Sequence, residues 1–262
     1  MHKILSVRTV FAVVSTTCDF QGLQSNDVMT ENKPQLKALE GSRNGIIQIK
    51  PSAPSIEDEK KGQHPLKFDK NREALLYVPK GYKRETAAPF ALMLHGAGGN
   101  AQHGIAFLQH LSDEAGIILL APKSQNVTWD VIMSDYGADV EFINSALRHV
   151  FERYNVDKTR LAVGGFSDGA SYALSLGIIN GELFTQVIAF SPGFMAPTRQ
   201  SGNPRIYISH GTNDSVLPIE KCSRRLVPQL KRGGYDVFYR EFEGPHTIPL
   251  DVASESVQWF VS

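Results

Sequence analysis

The sequence has no excess of charge of either sign. Its 27 Lys and Arg residues balance its 27 Asp and Glu residues, so the formal net charge is zero. Broad electrostatic attraction to nucleic acid or to an anionic membrane surface therefore has no support in the composition. We expect the partner to be a small molecule or another neutral molecule, and not nucleic acid.

Cysteines and long apolar runs are also scarce. The two cysteines, Cys18 and Cys222, lie far apart in the sequence and show no C-x-x-C spacing. Neither a disulfide framework nor a zinc site is indicated, and the sequence predicts no metal and no cofactor. Beyond the N-terminus, no segment approaches the roughly 18 apolar residues that a transmembrane helix needs.

The first eighteen residues, MHKILSVRTVFAVVSTTC, combine early basic residues, a short apolar stretch at 10–14 and small residues before Cys18. This pattern resembles a bacterial lipoprotein signal, in which Cys18 would become the lipidated N-terminus of an exported protein. The apolar stretch is short, however, because Arg8 lies just before it. An ordinary disordered N-terminus, and with it a cytoplasmic protein, is the alternative.

Residues 19–70 are polar, contain several prolines and predict an extended arm or linker, with residues 46–49 as an optional edge strand. From 71 to 262, short apolar runs alternate with helical patterns. This predicts one α/β domain, a mostly parallel twisted sheet with helices on both faces. One helix is expected over 140–154 with Asp139 as its N-cap, and two more near 226–230 and 253–260. The predicted strands cover residues 74–78, 90–94, 117–121, 161–165, 186–190, 205–209 and 236–242.

The pentad Gly165-Phe166-Ser167-Asp168-Gly169 fits G-x-S-x-G and lies where a predicted strand passes into a predicted helix. In that context, the sharp turn holds the serine in a strained conformation, and the glycines let strand and helix approach each other. The pentad alone also arises by chance. The strand before it and the helix after it make Ser167 the candidate nucleophile.

A serine nucleophile requires a histidine base and a carboxylate that orients the histidine. The stretch SHGTNDSVLP places Asp214 in a loop directly after a predicted strand, and EFEGPHTIP places His246 in the loop after the next strand. Taken singly, Asp214 fits a turn residue and His246 a surface residue. Their order and their positions at strand ends together predict a triad at the carboxyl edge of the sheet.

The developing oxyanion needs hydrogen-bond donors. In LMLHGAGGN, a buried strand runs into a glycine-rich turn that matches neither common phosphate-binding motif. We expect the backbone N–H groups of Ala97 and Asp168 to be the donors, with Gly98 as a less favoured substitute for Ala97. His95 is expected to be structural and to hydrogen-bond this loop.

These segments resemble the α/β-hydrolase superfamily, and within it the bacterial predicted esterases of the phospholipase/carboxylesterase type. The resemblance covers roughly residues 72–262, and no family pattern is present before residue 46. The sequence is similar more distantly to acyl-protein thioesterases, feruloyl esterases and polyhydroxyalkanoate depolymerases. It implies an α/β-hydrolase fold with Ser167 as nucleophile, Asp214 as acid, His246 as base and Ala97 and Asp168 as oxyanion donors.

The expected function is therefore that of a cofactor-independent serine esterase acting through an acyl-enzyme. The loops at 122–136 and 191–203 are too short for a large lid. An open site of this kind favours short or soluble acyl esters, or the end of a polymer, as the substrate. We expect the pocket to be lined by Trp129, Asp130 and Phe194. Two alternatives stay open. The same triad could cleave amides, peptides or polyesters, or the domain could be a non-catalytic binding protein.

Overall fold

The computed structural model describes residues 40–57, 60–69 and 72–262. The predicted leader, Cys18 and the first part of the predicted arm lie outside the described residues. Within the described ranges, no helix has the length and apolar character needed to cross a membrane.

The centre of the fold is a sheet with eight strands in the described residues. The strands are β1 Gly62–Asp69, β2 Arg72–Val78, β3 Ala88–Leu94, β4 Ile118–Pro122, β5 Val156–Phe166, β6 Gln186–Phe190, β7 Arg205–Gly211 and β8 Val237–Phe242. Their order in the sheet is β1-β2-β4-β3-β5-β6-β7-β8. The first two strands of that order pair antiparallel, and β2 also pairs antiparallel with β4. The other six strands run parallel to one another.

Helices cover both faces of this sheet, as the alternation of apolar runs predicts. The helices are α1 Ala101–Ala106, α2 Gln109–Ala115, α3 Asp130–Met133, α4 Ala138–Phe151, α5 Asp168–Ile179, α6 Ser223–Arg232 and α7 Leu250–Val261, with a 3-10 turn at Ile219–Lys221. Apolar side chains of α4, α5 and α6 pack into one core on one face of the sheet, and those of α1 and α7 pack into a second core on the opposite face.

The predicted boundary between arm and domain lies too late in the chain, because β1 belongs to the sheet. In β1, His64 and Leu66 face the interior while Gln63 and Pro65 are exposed, which is the alternation of a strand with one buried face. Pro65 argues against a central strand, but an edge strand tolerates proline. The polar composition and this proline concealed the strand in the sequence.

Residues 46–49 do not form the predicted edge strand. Two asparagine side chains, one within a helix and one at a helix C-cap, bind their backbone instead: Asn180 Oδ1 accepts from the Ile47 N–H at 2.8 Å, and Asn144 Oδ1 accepts from the N–H groups of Gln48 and Ile49 at 3.0 Å. This part of the arm therefore lies over the helices and not at the edge of the sheet.

The turn from β5 into α5 approaches the end of β3 so closely that only glycine fits at two positions. A Cβ on Gly169 would overlap the carbonyl oxygen of Leu94, and a Cβ on Gly165 would lie 2.6 Å from the same oxygen. The expectation that the two glycines of the pentad permit close packing of strand and helix is confirmed.

Replacing Gly169 by alanine should therefore destabilise the fold. Because the clash is with backbone, the cost should be roughly 3 kcal/mol or more, or a fall in Tm of about 8 °C or more. Gly81→Ala is the matched control, since a Cβ there meets nothing within 4 Å. Differential scanning fluorimetry of both variants checks this, and a Gly169→Ala protein as stable as Gly81→Ala would contradict the packing described.

Candidate active site

Ser167 occupies the junction between β5 and α5 with a strained backbone. Its φ of 57° and ψ of −119° lie outside the regions that a non-glycine residue readily adopts. Its N–H donates to the carbonyl oxygen of Phe190 at the end of the neighbouring β6, at 2.9 Å. The predicted strained turn is confirmed, and the side chain is held at the carboxyl edge of the sheet with 7% of the residue exposed.

Asp214 is buried in the loop that follows β7. Its Oδ1 accepts from the N–H groups of Val216 and Leu217 at 2.9 and 2.8 Å, which fixes the carboxylate, and its Oδ2 lies 2.6 Å from His246 Nδ1. Burial on its own raises the pKa of this carboxyl, but the hydrogen bonds from Leu217 and His246 outweigh it and lower the pKa overall. Asp214 is therefore ionised at neutral pH, and it is both a turn residue and a partner of His246.

His246 lies in the loop between β8 and α7, and its ring packs against Phe166, with centroids 4.5 Å apart. Phe166 directly precedes Ser167, so the imidazole lies beside the turn from β5 into α5 that contains Ser167, which we call the elbow. Within the described residues, the Ser167 hydroxyl donates no hydrogen bond. The hydrogen bond between a catalytic serine and its histidine base often tightens only when substrate is bound. Because Asp214 engages Nδ1, Nε2 is the remaining ring nitrogen of this candidate base.

A second histidine, His210, contacts the same carboxylate and was missed by the sequence analysis. It is fully buried at the end of β7, with Nε2 3.2 Å from Asp214 Oδ2 and 2.8 Å from the carbonyl oxygen of Leu217. Its Nδ1 lies 2.7 Å from Ser223 Oγ. Burial lowers the pKa of His210, so the ring is neutral, with a proton on Nε2 that faces two acceptors. The available signal was its spacing, four residues before the candidate acid.

The glycine-rich loop between β3 and α1 closely approaches Ser167, the candidate nucleophile. A Cβ on Gly96 would lie 3.4 Å from Ser167 Cβ. The Gly98 N–H donates to the carbonyl oxygen of Val127 at 2.7 Å, whereas the Ala97 N–H makes no hydrogen bond within the described part of the chain. This difference favours Ala97 over Gly98 as a donor. Asp168 opens α5, where backbone N–H groups have no intrahelical acceptor.

His95 has the structural role expected for it. It is fully buried, its Nδ1 lies 2.7 Å from the Gly96 carbonyl oxygen, and its Nε2 accepts from the Ser124 N–H at 3.0 Å. Burial lowers the pKa of this histidine, and a neutral ring satisfies both contacts. His95 thus fixes the loop in place, and both of its ring nitrogens are engaged in doing so.

A cavity of about 500 Å³ opens beside the glycine-rich loop. Its wall is mostly apolar, and its residues come from α1, α2, the elbow and the start of α7, on the face of the sheet opposite α5. Apart from Ala97 and Gly98, these residues were not identified from the sequence, because the cavity forms only where the 96–110 segment meets Phe166 and the start of α7. The lining includes Ala97, Phe107, His110, Phe166, Ile248 and Leu250.

The predicted pocket residues do not line this cavity. Trp129 is fully buried, its Nε1 donates to the His95 carbonyl oxygen at 2.9 Å, and its ring stacks on Tyr172 at 5.2 Å. Asp130 is also buried and accepts from the Tyr172 hydroxyl at 2.7 Å. The prediction is wrong for both, since neither presents a surface to a substrate. Phe194 is half-buried in the loop after β6 and lies outside the cavity lining.

Asp139 is not the N-cap of α4, because Gly137 occupies that position. Asp139 lies in the first turn of the helix, and its carboxylate accepts from the Gln125 N–H at 2.9 Å.

Among the residues that the structure describes, no three or more His, Cys, Asp or Glu side chains are grouped to hold a metal ion.

The sequence matches the family model Esterase, described as "Putative esterase", over residues 67–248, which is more than half of the chain. The chain belongs to this esterase family. The chain is 29% identical over 171 residues to the probable feruloyl esterase C of Aspergillus clavatus, an alignment that covers 60% of the chain and 61% of that relative. It is 26% identical over 208 residues to an acetylxylan esterase of Coprinopsis cinerea, covering 62% of the chain and 54% of the relative.

The fold of this family member also matches solved structures. A CE1 ferulic acid esterase from Anaeromyces mucronatus superposes with a TM-score of 0.57 at 19% identity, covering 82% of the chain and 98% of that structure. The predicted α/β-hydrolase fold is thereby confirmed. The chain spans less than two thirds of the length of the two curated relatives above.

Two buried histidines whose pKa is lowered by burial make stability depend on pH. His95 and His210 have folded-state pKa values below the ordinary 6.5. As the pH falls through 6.5, the unfolded chain therefore binds more protons than the folded protein, and the free energy of unfolding decreases. We expect Tm to be nearly level between pH 8 and 7 and to fall between pH 6.5 and 5.

His210→Gln removes one of these two groups and should make the fall in Tm between pH 6.5 and 5 shallower, whatever its effect at pH 8. His110→Gln, at an exposed position, is the control. Thermal unfolding across this pH series is the measurement, and equal slopes for wild type and His210→Gln would refute the assignment.

Proposed function

We propose that the chain hydrolyses carboxylic esters through an acyl-enzyme on Ser167, with His246 as general base and Asp214 as the acid that orients it. The observation that carries this proposal is the 2.6 Å contact between Asp214 and His246, whose ring packs on the residue that precedes the strained Ser167. Membership of the esterase family supports it independently.

In the first half-reaction, His246 Nε2 accepts the proton of the Ser167 hydroxyl as Oγ attacks the acyl carbonyl. The backbone N–H groups of Ala97 and Asp168 stabilise the oxyanion, and ionised Asp214 stabilises the imidazolium. His246 then gives the proton to the departing alkoxide, leaving an acyl-serine and an alcohol. In the second half-reaction, water repeats the sequence and releases a carboxylic acid and the free serine.

The cavity supports a substrate larger than an acetate ester. About 500 Å³ exceeds the space that an acetyl group fills, and the side chains of Phe107 and Phe166 present aromatic surface in it. The relatives named feruloyl esterase and acetylxylan esterase differ in the size of the acyl group that these names imply. We assign the cavity to an aromatic or medium-length acyl group, with acetyl esters as the second candidate.

Substitution of the proposed nucleophile is the first test. Wild type should hydrolyse p-nitrophenyl acetate, butyrate and octanoate, and Ser167→Ala should lose at least about a thousandfold in kcat. Ser191→Ala, which removes a buried hydroxyl that has no hydrogen-bond partner among the described residues, is the control and should retain activity. Equal rates for wild type and Ser167→Ala would refute the mechanism, and faster turnover of the matching p-nitroanilide would replace ester by amide as the substrate class.

The cavity assignment predicts a selective effect of filling it. Ala106 lines the cavity from an exposed position on α1, so Ala106→Phe should lower kcat/KM for p-nitrophenyl ferulate about tenfold. The value for p-nitrophenyl acetate should change less than twofold, because acetyl does not reach the added ring. Ala106→Ser keeps the volume nearly constant and is the matched control. A loss equal for both esters would show that the cavity does not hold the acyl group.

A further inference from the structure

Three consecutive residues, Val127, Thr128 and Trp129, each contact a different part of the predicted oxyanion site. The Val127 carbonyl oxygen accepts from the Gly98 N–H at 2.7 Å, and the Thr128 hydroxyl donates to Asp168 Oδ2 at 2.7 Å. Trp129 Nε1 donates to the carbonyl oxygen of His95 at 2.9 Å, as described above. One short segment is therefore bonded to both sides of the site, the glycine-rich loop and the residue after the nucleophile.

This segment is itself anchored by a buried carboxylate. Asp139 Oδ1 accepts from the Gln125 N–H at 2.9 Å, and its Oδ2 accepts from the Asp130 N–H at 3.0 Å. Asp139 thereby holds both ends of the segment, and Arg72 balances its charge with Nη1 at 2.9 Å. Because Asp139 is 1% exposed, these bonds form away from bulk water and fix the segment in a single position.

We propose that residues 127–129, which we call the oxyanion support, are positioning residues that hold the two backbone donors in catalytic geometry. This inference rests on the proposed function. Val127 binds the Gly98 N–H and leaves the neighbouring Ala97 N–H as the donor of the loop. Thr128 orients the first residue of α5, and Trp129 fixes the strand end from which the loop begins.

The contact between Thr128 and Asp168 has a specific electrostatic reason. A carboxylate in the first turn of a helix can accept from the N–H groups of that same turn, which include the donor that the oxyanion requires. By donating to Asp168 Oδ2, the Thr128 hydroxyl holds the carboxylate in another direction. The backbone N–H of Asp168 is then available although its own side chain is an acceptor.

Thr128→Val tests this proposal, since valine keeps the shape and removes the hydroxyl. Two inhibitors distinguish binding of the transition state from binding of the ground state. A trifluoromethyl ketone adds the serine and forms a tetrahedral oxyanion, whereas the free carboxylic acid product does not. We expect kcat for p-nitrophenyl butyrate to fall about tenfold and affinity for the ketone to fall by a similar factor. KM and affinity for the product should stay within about twofold.

Two variants serve as controls. Thr128→Ser restores the hydroxyl and should recover most of the activity. Thr185→Val makes the same chemical change at the opposite end of the sheet, where the hydroxyl donates to the Thr159 carbonyl oxygen at 2.9 Å, and should leave kcat and ketone affinity unchanged.

A second pair of variants tests the same bond from the acceptor side and covers the case in which Thr128→Val does not fold. Asp168→Asn and Asp168→Ala both remove the charge, but only asparagine retains an oxygen that can accept from Thr128. The support predicts that kcat and ketone affinity are several-fold lower for Asp168→Ala than for Asp168→Asn.

Several results would overturn the proposed role of the oxyanion support while leaving the proposed function intact. With an active wild type, one such result is a kcat of Thr128→Val equal to that of wild type. Another is that Thr128→Val loses affinity for the ketone and for the product by equal factors. Equal kcat for the two Asp168 variants would do the same. A wild type that neither turns over esters nor binds the ketone would overturn the proposed function and the support together.

Discussion

The steric fit between the β5–α5 turn and the end of β3 is the constraint on which the candidate site depends. Gly165 and Gly169 bring the first turn of α5 against the carbonyl oxygens of Leu94 and His95, where no side chain fits. Between these two glycines, Ser167 has a positive φ, and Gly96 of the glycine-rich loop lies close to its side chain. The candidate nucleophile, the first helical N–H and the loop N–H thus meet where the turn packs against the end of β3.

The second constraint is electrostatic and centres on Asp214. Two backbone N–H groups orient one oxygen of its carboxylate, and two imidazoles contact the other. Of these two imidazoles, only His246 lies near the elbow. His210 is buried and neutral, and its Nε2 contacts the same carboxylate oxygen from the protein interior. An ionised acid in this position can stabilise a positive charge on His246 without itself becoming protonated.

The features predictable from the sequence are those in which neighbouring residues determine the geometry. The elbow is such a feature, because the pentad contains both the strained residue and the glycines that permit it. The cavity and His210 depend on segments that meet only in the folded protein. Trp129 illustrates the difference: a tryptophan near a strand end suits a pocket wall or a core equally, and its burial follows from contacts with His95 and Tyr172, both distant in sequence. The edge strand β1 was concealed by Pro65, which is tolerated only because no second strand pairs with that edge in the described sheet.

The central claim is that the strained turn and His246 make Ser167 the reactive nucleophile. Diisopropyl fluorophosphate phosphorylates an activated serine hydroxyl and releases fluoride, and tryptic mapping then locates the label in the peptide of residues 161–199. This peptide also contains Ser171, Ser175 and Ser191, which act as internal controls. The account predicts one equivalent of label on Ser167, abolished in His246→Ala. Label on another residue, or equal labelling of the His246→Ala variant, would contradict it.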